Sequence, residues 1–420
     1  MPEQAAGADA ADRELAAQYE AYPYPARDPR DEHRRLIVGS PSHLREIDHW
    51  VFGAQRSRAR PLRALVAGCG TGDGAIMLAQ QMVQAGRPGH VLCLDRSRAA
   101  LEIARARAEA RGLPNIDFRE ASLLQVAGLG LGPFDYIDCC GVLHHLPEPA
   151  RTLRDLAGLL AKGGGIGLML YAPHGRTGVY MLQDALALLA PGDAPPALRL
   201  DVARRVLRHL PRSAWLHANR NFADHLSGGD AGLYDLLLNP RDRAYDVPAL
   251  RALVAEAGLS IGCLLEPARY EPSLLLPDPR LRARLEAMPL LDRAAVAEGL
   301  LGNMNTHIAY VRRPGAHPPE PDPLAPDAVP VAREVPAGEI ARQIGPDGSL
   351  PHLFGQLAVR VPLPPQARAL LGLIDGERTV AAIAAGMRER GLAPARIEAA
   401  WRETIVPLIR LNRVLLAAPA

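Results

Sequence analysis

The chain has 420 residues, 48% of them hydrophobic and 22% charged, which is enough apolar material for a buried core and too much chain for one ordinary domain. Its 48 basic and 46 acidic residues leave a formal net charge of +2, so charge gives no reason to expect a nucleic-acid or membrane partner. The five cysteines, Cys69, Cys93, Cys139, Cys140 and Cys263, are odd in number and include no C-x-x-C spacing. A disulfide framework and a zinc site are therefore unsupported, no metal is expected, and reduced thiols fit a cytoplasmic protein. Lys162 is the only lysine, and the arginines are scattered without forming a patch. The first residues are acidic and polar with no apolar signal core, and no apolar run approaches a membrane span.

In chain order, residues 1 to about 11 read as disordered. Short helices are expected over 12–22 and 43–52, separated by Tyr22-Pro23-Tyr24-Pro25, so that residues 1–60 form an N-terminal helical lid segment. A strand–helix alternation follows. Strands are predicted over 63–68, 90–95, 116–121, 134–141 and 166–172, and helices over 73–86, 97–111 and about 149–161, with Ser97 as an N-cap. This rhythm implies a parallel sheet with helices on both faces, a doubly wound α/β fold. Residues 176–238 then read as almost entirely helical. A helix over 247–258 and strands near 259–265 and 306–312 resume the rhythm and complete the sheet. One α/β domain is thus expected over 61–313, with helical insertions at about 176–244 and 267–303. A Pro-rich linker is expected over 314–339. A small helical domain follows over 340–420, with helices at 364–373, 379–390 and 394–411 and a short strand at 414–416.

The strongest motif is Gly68-Cys69-Gly70-Thr71-Gly72-Asp73-Gly74, directly after the first strand and opening a helix. Alternate glycines let a ligand approach the backbone, and the helix that follows points its free N–H groups toward it. The loop lacks the G-x-G-x-x-G spacing of dinucleotide folds, so NAD and FAD are not expected. Asp95, at the end of the second strand, is placed to accept hydrogen bonds from a pair of ribose hydroxyls. Its competing role as a helix cap is already filled by Ser97. Further marks are Glu120-Ala121-Ser122-Leu123, Phe134-Asp135-Tyr136-Ile137, Gly141-Val142-Leu143-His144-His145-Leu146, and the Lys162-Gly163-Gly164-Gly165 turn.

Together these motifs resemble class I S-adenosylmethionine-dependent methyltransferases. The resemblance implies a Rossmann-like sheet and S-adenosyl-L-methionine as cofactor. It implies a binding set of Gly68, Cys69, Gly70, Thr71, Gly72, Asp95, Arg96, Ser122, Leu123, Gly141 and Val142. Relatives often carry Asp where Ser122 stands and Pro where Lys162 stands, which leaves the adenine contact less defined. No catalytic dyad stands out. Methyl transfer from a sulfonium asks mainly for alignment and exclusion of water, with a base only if the nucleophile arrives protonated. The candidates for direct chemistry are His145, Tyr22 and Tyr24. Since an L-H-H-L segment recurs in the family across unrelated substrates, a structural or cofactor-shielding role for the histidines is the first reading.

A narrower resemblance is to bacterial proteins with a methyltransferase domain, a methyltransferase regulatory domain and a C-terminal winged-helix domain, some of them protein-lysine methyltransferases. It rests on the Tyr-Pro stretch, on Asn239-Pro240-Arg241 closing the helical insertion, and on Leu373-Ile374-Asp375-Gly376-x-Arg378-Thr379 in the tail. It implies a protein or peptide acceptor, with the winged-helix-like tail engaging substrate or partner and not cofactor. The alternatives are a small-molecule methyltransferase, such as one acting on a natural-product intermediate, and a non-catalytic protein that kept the fold.

Overall fold

The computed structural model describes residues 17–219 and 224–419. The expected disordered start, residues 12–16 of the first expected helix and Asn221 of the insertion lie outside these residues; 17–21 are helical. Seven strands form the central sheet: β1 (Leu62–Ala67), β2 (Gly89–Asp95), β3 (Ile116–Glu120), β4 (Phe134–Cys140), β5 (Leu160–Tyr171), β6 (Ser260–Leu265) and β7 (Thr306–Arg312). Their order is β3-β2-β1-β4-β5-β7-β6. The strands lie close to where the alternation predicted them, except that β5 already starts at Leu160, so that Lys162-Gly163-Gly164-Gly165 lies within the strand, at a register shift against β4, and not in a turn before it; β7 runs antiparallel to both neighbours. The cause is the second insertion. Leu265 at the end of β6 pairs with Ile308 near the start of β7, so the chain leaves and re-enters the sheet at one edge and β7 must run back.

Helices α1 (Asp73–Gln84), α2 (Arg98–Ala110) and α3 (Pro149–Gly158) connect the first five strands. The strands read as continuous apolar runs because both faces of the sheet are covered. One face packs Leu65, Ile137, Cys139 and Leu168 beneath α3 and the helix Val247–Glu256. The other packs Leu62, Val66, Cys93 and Tyr136 beneath α1 and the helical turns of 44–51. The first insertion carries α4 (Val179–Leu189), α5 (Pro196–His209) and α6 (Gly229–Leu237), which share a core of Val179, Leu186, Leu200, Tyr234 and Leu237. Buried Arg199 ties α5 to α6, donating to the Tyr234 hydroxyl (2.9 Å) and the Leu238 carbonyl (2.8 Å).

The tail holds more strand than its sequence suggests. Inside the expected linker, β8 (Val329–Ala332) pairs antiparallel with β11 (Val414–Ala417), and β9 (Ser349–Phe354) and β10 (Leu357–Pro362) form a separate hairpin. Pro330 is tolerated in β8 because a two-stranded ladder leaves every strand a free edge. Ile340, Leu350, Leu370, Ile383, Trp401, Ile405 and Leu408 make the tail's core. The tail docks on residues 40–50. Glu46 has 0% exposure and accepts from Ser40 Oγ (2.7 Å), Tyr310 Oη (2.8 Å) and Asn412 Nδ2 (2.6 Å), and from the Arg333 guanidinium. Segment 40–42 is also a wall of the main cavity. The tail thus packs against the segment that leads into the cavity wall, tied to it by buried charge and hydrogen bonding at Glu46.

Candidate functional site

A cavity of about 530 Å³ opens at the C-terminal edge of β1, β2, β4 and β5, within the usual range for a small-molecule site. Gly68, Cys69 and Gly70 form its floor, with Asp95, Arg96, Ser122, Leu123, Gly141, Val142, His145 and Tyr24 on its walls. Thr71, Gly72 and Tyr22 do not line it. Gly68 and Gly70 adopt φ of +77° and +49°. A Cβ would stand 2.5 Å from Val142 Cγ2 at the first and 2.8 Å from the Tyr24 carbonyl oxygen at the second. Only glycine closes the turn and admits those neighbours. Thr71 Oγ1 donates to the Pro25 carbonyl (2.7 Å), and Gly72 is the N-cap of α1; both shape the loop from behind.

Asp95 accepts from the backbone N–H of Gly70 (2.8 Å) and of Ser97 (2.9 Å). Burial raises its carboxyl above the ordinary range while these N–H donors pull it back. Ser97 caps α2 through Ala100 N–H (3.1 Å). Ser122 Oγ accepts from Leu124 N–H (3.3 Å) and starts the next turn.

The N-terminal stretch lies across this loop as a strap. Arg27 pairs with Asp73 at 2.6 Å, and buried Arg107 bridges Asp73 (2.7 Å) and Glu32 (2.6 Å). Burial pushes the Asp73 carboxyl up, but Arg27 and Arg107 outweigh it and hold it below the ordinary value. Tyr22 turns away from the cavity and stacks on Tyr234 of α6, with centroids 5.4 Å apart at 18°.

The opposite wall is made of side chains that, His145 apart, carry no local motif. Asp235 of α6 accepts from Tyr19 Oη (3.1 Å) and Tyr171 Oη (3.4 Å). Burial raises its carboxyl, with His145 and Tyr19 opposing the rise. The His145 ring lies edge-on to Tyr171, 5.7 Å between centroids. Its Nδ1 is 2.6 Å from the carbonyl of Arg241. A carbonyl only accepts, so Nδ1 is the donor in this hydrogen bond. His144 stacks on Tyr171 at 3.9 Å, and burial drives its pKa well down, with His145 and Arg176 adding to the effect, so it is a neutral ring. Arg176 pairs with Asp242 at 2.6 Å and stands 3.8 Å from the Tyr171 ring centre. Tyr19, Tyr171, Arg176, Asp235 and Asp138 line the cavity, yet sequence marks them, if at all, only as members of longer stretches.

A seven-stranded sheet with one antiparallel strand, a glycine turn after β1 and a carboxylate ending β2 define an α/β enzyme that takes a nucleoside cofactor at the strand ends. Residues 65–166 match a methyltransferase-domain family model. An uncharacterized protein of Synechococcus sp. is 31% identical over 317 residues, covering 73% of this chain and 72% of that protein. The ubiquinone biosynthesis O-methyltransferase of Acinetobacter baylyi is 29% identical over 155 residues, 37% of this chain and 60% of that enzyme. PKMT2 from Rickettsia typhi, solved in complex with AdoHcy, shares the fold at 14% identity, with a TM-score of 0.62 over 90% of this chain and 75% of that one. The chain belongs to the class I S-adenosylmethionine-dependent methyltransferases, and S-adenosylmethionine is its cofactor. Among the described residues no helix is long and apolar enough to cross a membrane.

Proposed function

We propose that this enzyme methylates a side-chain amine presented by a protein or peptide. Gly68, Cys69, Gly70, Asp95, Arg96, Ser122, Leu123, Gly141 and Val142 hold the cofactor in this reading, with Thr71 and Gly72 fixing the loop. When bound, S-adenosylmethionine supplies a methyl group on a sulfonium, and its C–S bond breaks as the acceptor's new bond to carbon forms. The observation that carries the reading is the buried Asp235 carboxylate set between the Tyr19 and Tyr171 hydroxyls beside His145. An amine arrives as ammonium. Asp235 and the aromatic faces attract that charge, and His145 Nε2 takes the proton, freeing the nitrogen lone pair to attack. Nδ1, held by the Arg241 carbonyl, keeps the ring oriented while it does so.

The size of the acceptor is argued from the surface. Ten of the thirteen exposed large apolar side chains among the described residues lie on the two insertions, including Met181, Leu188, Trp215 and Leu226. Six of them lie on the first insertion, which also supplies Arg176, Asp235 and Leu236 to the cavity wall, and this is the surface on which the acceptor protein is taken to rest. The test is transfer of labelled methyl groups into a lysate resolved by mass spectrometry. Label on lysine side chains of proteins, lost with Asp235→Asn, is expected; label confined to small molecules or to oxygen would overturn the reading.

A further inference from the structure

Asp138 is a carboxylate that the chemistry above does not use. It sits in the middle of β4, in register with Val66 of β1 and Gly167 of β5, and is 1% exposed. Its Oδ2 accepts from Ser42 Oγ at 2.5 Å, and its Oδ1 has no hydrogen-bond partner. Burial, eased only by Ser42, lifts its carboxyl to about 7, and among the described residues its only hydrogen-bond partner is the neutral Ser42 hydroxyl. Asp138 and Ser42 nevertheless form part of the main cavity's wall, beside Gly74, Met77 and Cys140. A buried carboxylate without a counter-ion is costly to keep, and its place in a ligand cavity is explained if the cation comes with the ligand.

An ammonium can come from two sources, the amino-acid end of the cofactor or an amine acceptor. The surroundings favour the first. Gly74, in the first turn of α1, continues the glycine alternation of the cofactor loop, and a Cβ there would stand 2.9 Å from Asp138 Oδ2 and 3.4 Å from Ser42 Cβ. The missing side chain lets the start of α1 close onto this pair. The acceptor-side carboxylate, Asp235, belongs to a different group of side chains, Tyr19, Tyr171 and His145. We infer that Asp138, held by Ser42, is the counter-ion of the cofactor's amino-acid ammonium, met directly or through one bridging water. Asp138 would then select the whole cofactor over adenosine thioethers that lack an amino-acid end. This rests on the cofactor assignment and not on the amine-acceptor reading.

The test is calorimetry on the full chain with S-adenosylhomocysteine and with 5′-methylthioadenosine, which keeps the adenosine and thioether but has no ammonium. Asp138→Asn should weaken S-adenosylhomocysteine at least tenfold and leave 5′-methylthioadenosine within twofold, with Ser42→Ala showing a smaller loss of the same selectivity. Equal loss of both ligands would make Asp138 structural and overturn the inference. Unchanged S-adenosylhomocysteine affinity with a raised KM for the acceptor would overturn it in favour of the acceptor's amine. Should Asp138→Asn fail to fold, Ser42→Ala decides: selective loss supports the inference, and no loss refutes it. Binding of neither ligand by the unmodified chain would instead indict the cofactor assignment.

Discussion

The two walls of the cavity are built in different ways. The wall we assign to the cofactor comes from short turns at strand ends, 68–74, 95–96, 121–123 and 140–142, and is made of backbone and small side chains. The wall we assign to the acceptor comes from Tyr19, His145, Tyr171, Arg176 and Asp235, side chains on separate elements; Tyr19 and Asp235 bond across 216 residues of sequence. A backbone-made wall suits a cofactor that never changes, because few substitutions leave it intact. A side-chain wall on an insertion can be rebuilt for a new acceptor without touching the sheet.

The sharpest way to break this contrast is Gly68→Val. A branched side chain at φ +77°, where even a Cβ meets Val142 Cγ2 at 2.5 Å, is strained and fills the floor. The expected result is loss of measurable S-adenosylhomocysteine binding, on the order of 100-fold or more, from backbone strain of ~1–3 kcal/mol together with the blocked space. Calorimetry showing binding within tenfold would mean the loop is not the cofactor floor.

Next comes His145→Ala, on the other wall. Loss of a general base lowers kcat by roughly 10²–10⁴-fold, and cofactor affinity should stay within about threefold if His145 serves the acceptor. A variant that binds S-adenosylhomocysteine normally and turns over at the original rate would return His145 to the shielding role its motif first suggests.

These walls also differ in how far sequence reveals them. Gly68 to Gly74 encode a turn within seven residues, and Asp95 ends a strand whose apolar run marks its limits; both are local signals. Tyr171 is the last residue of β5 and Asp235 an interior residue of α6, and neither looks unusual until the insertion folds over the sheet and sets their side chains 3.4 Å apart. Asp138 did leave a signal, a carboxylate inside the apolar run Phe134–Cys140, though only the fold shows that among the described residues it is met by the Ser42 hydroxyl and by no cation. In the tail, Pro330 hid β8 and Pro351 and His352 hid the period-2 pattern of β9, because proline reads as a strand breaker while free sheet edges tolerate it. The antiparallel run of β7 is likewise invisible locally, since it depends on where the insertion rejoins the sheet.

A smaller effect sharpens the boundary between the walls. Asp95→Ala should cost ~1.5–3 kcal/mol of cofactor affinity, the range for hydrogen bonds to a charged group. Its effect on the acceptor's KM should be smaller, because Asp95 itself accepts from Gly70 and Ser97 and is joined to Tyr19 of the Asp235 cluster only through the Ser97 hydroxyl, which donates to the Tyr19 carbonyl (3.2 Å). Equal changes in both constants would show that the walls are not separable.

The smallest expected effect belongs to Tyr22, which tests where the strap belongs. Its two ends serve different neighbours: Tyr24 and Pro25 lie against Gly70 and Thr71 of the cofactor loop, while Tyr22 stacks on Tyr234 of the insertion. Tyr234 is itself pinned by Arg199, so the stack docks the strap on a rigid partner. An aromatic pair of this kind contributes ~0.5–1.5 kcal/mol beyond its buried area. Tyr22→Ala should therefore loosen the strap's hold on the insertion, raise the acceptor's KM by about three- to tenfold and leave S-adenosylhomocysteine affinity within twofold. Tyr22→Phe keeps the ring and should behave like the unmodified chain. If Tyr22→Ala instead weakens S-adenosylhomocysteine more than the acceptor, the strap moves as one piece over the cofactor, and the division between a fixed cofactor wall and an exchangeable acceptor wall fails at the N-terminus.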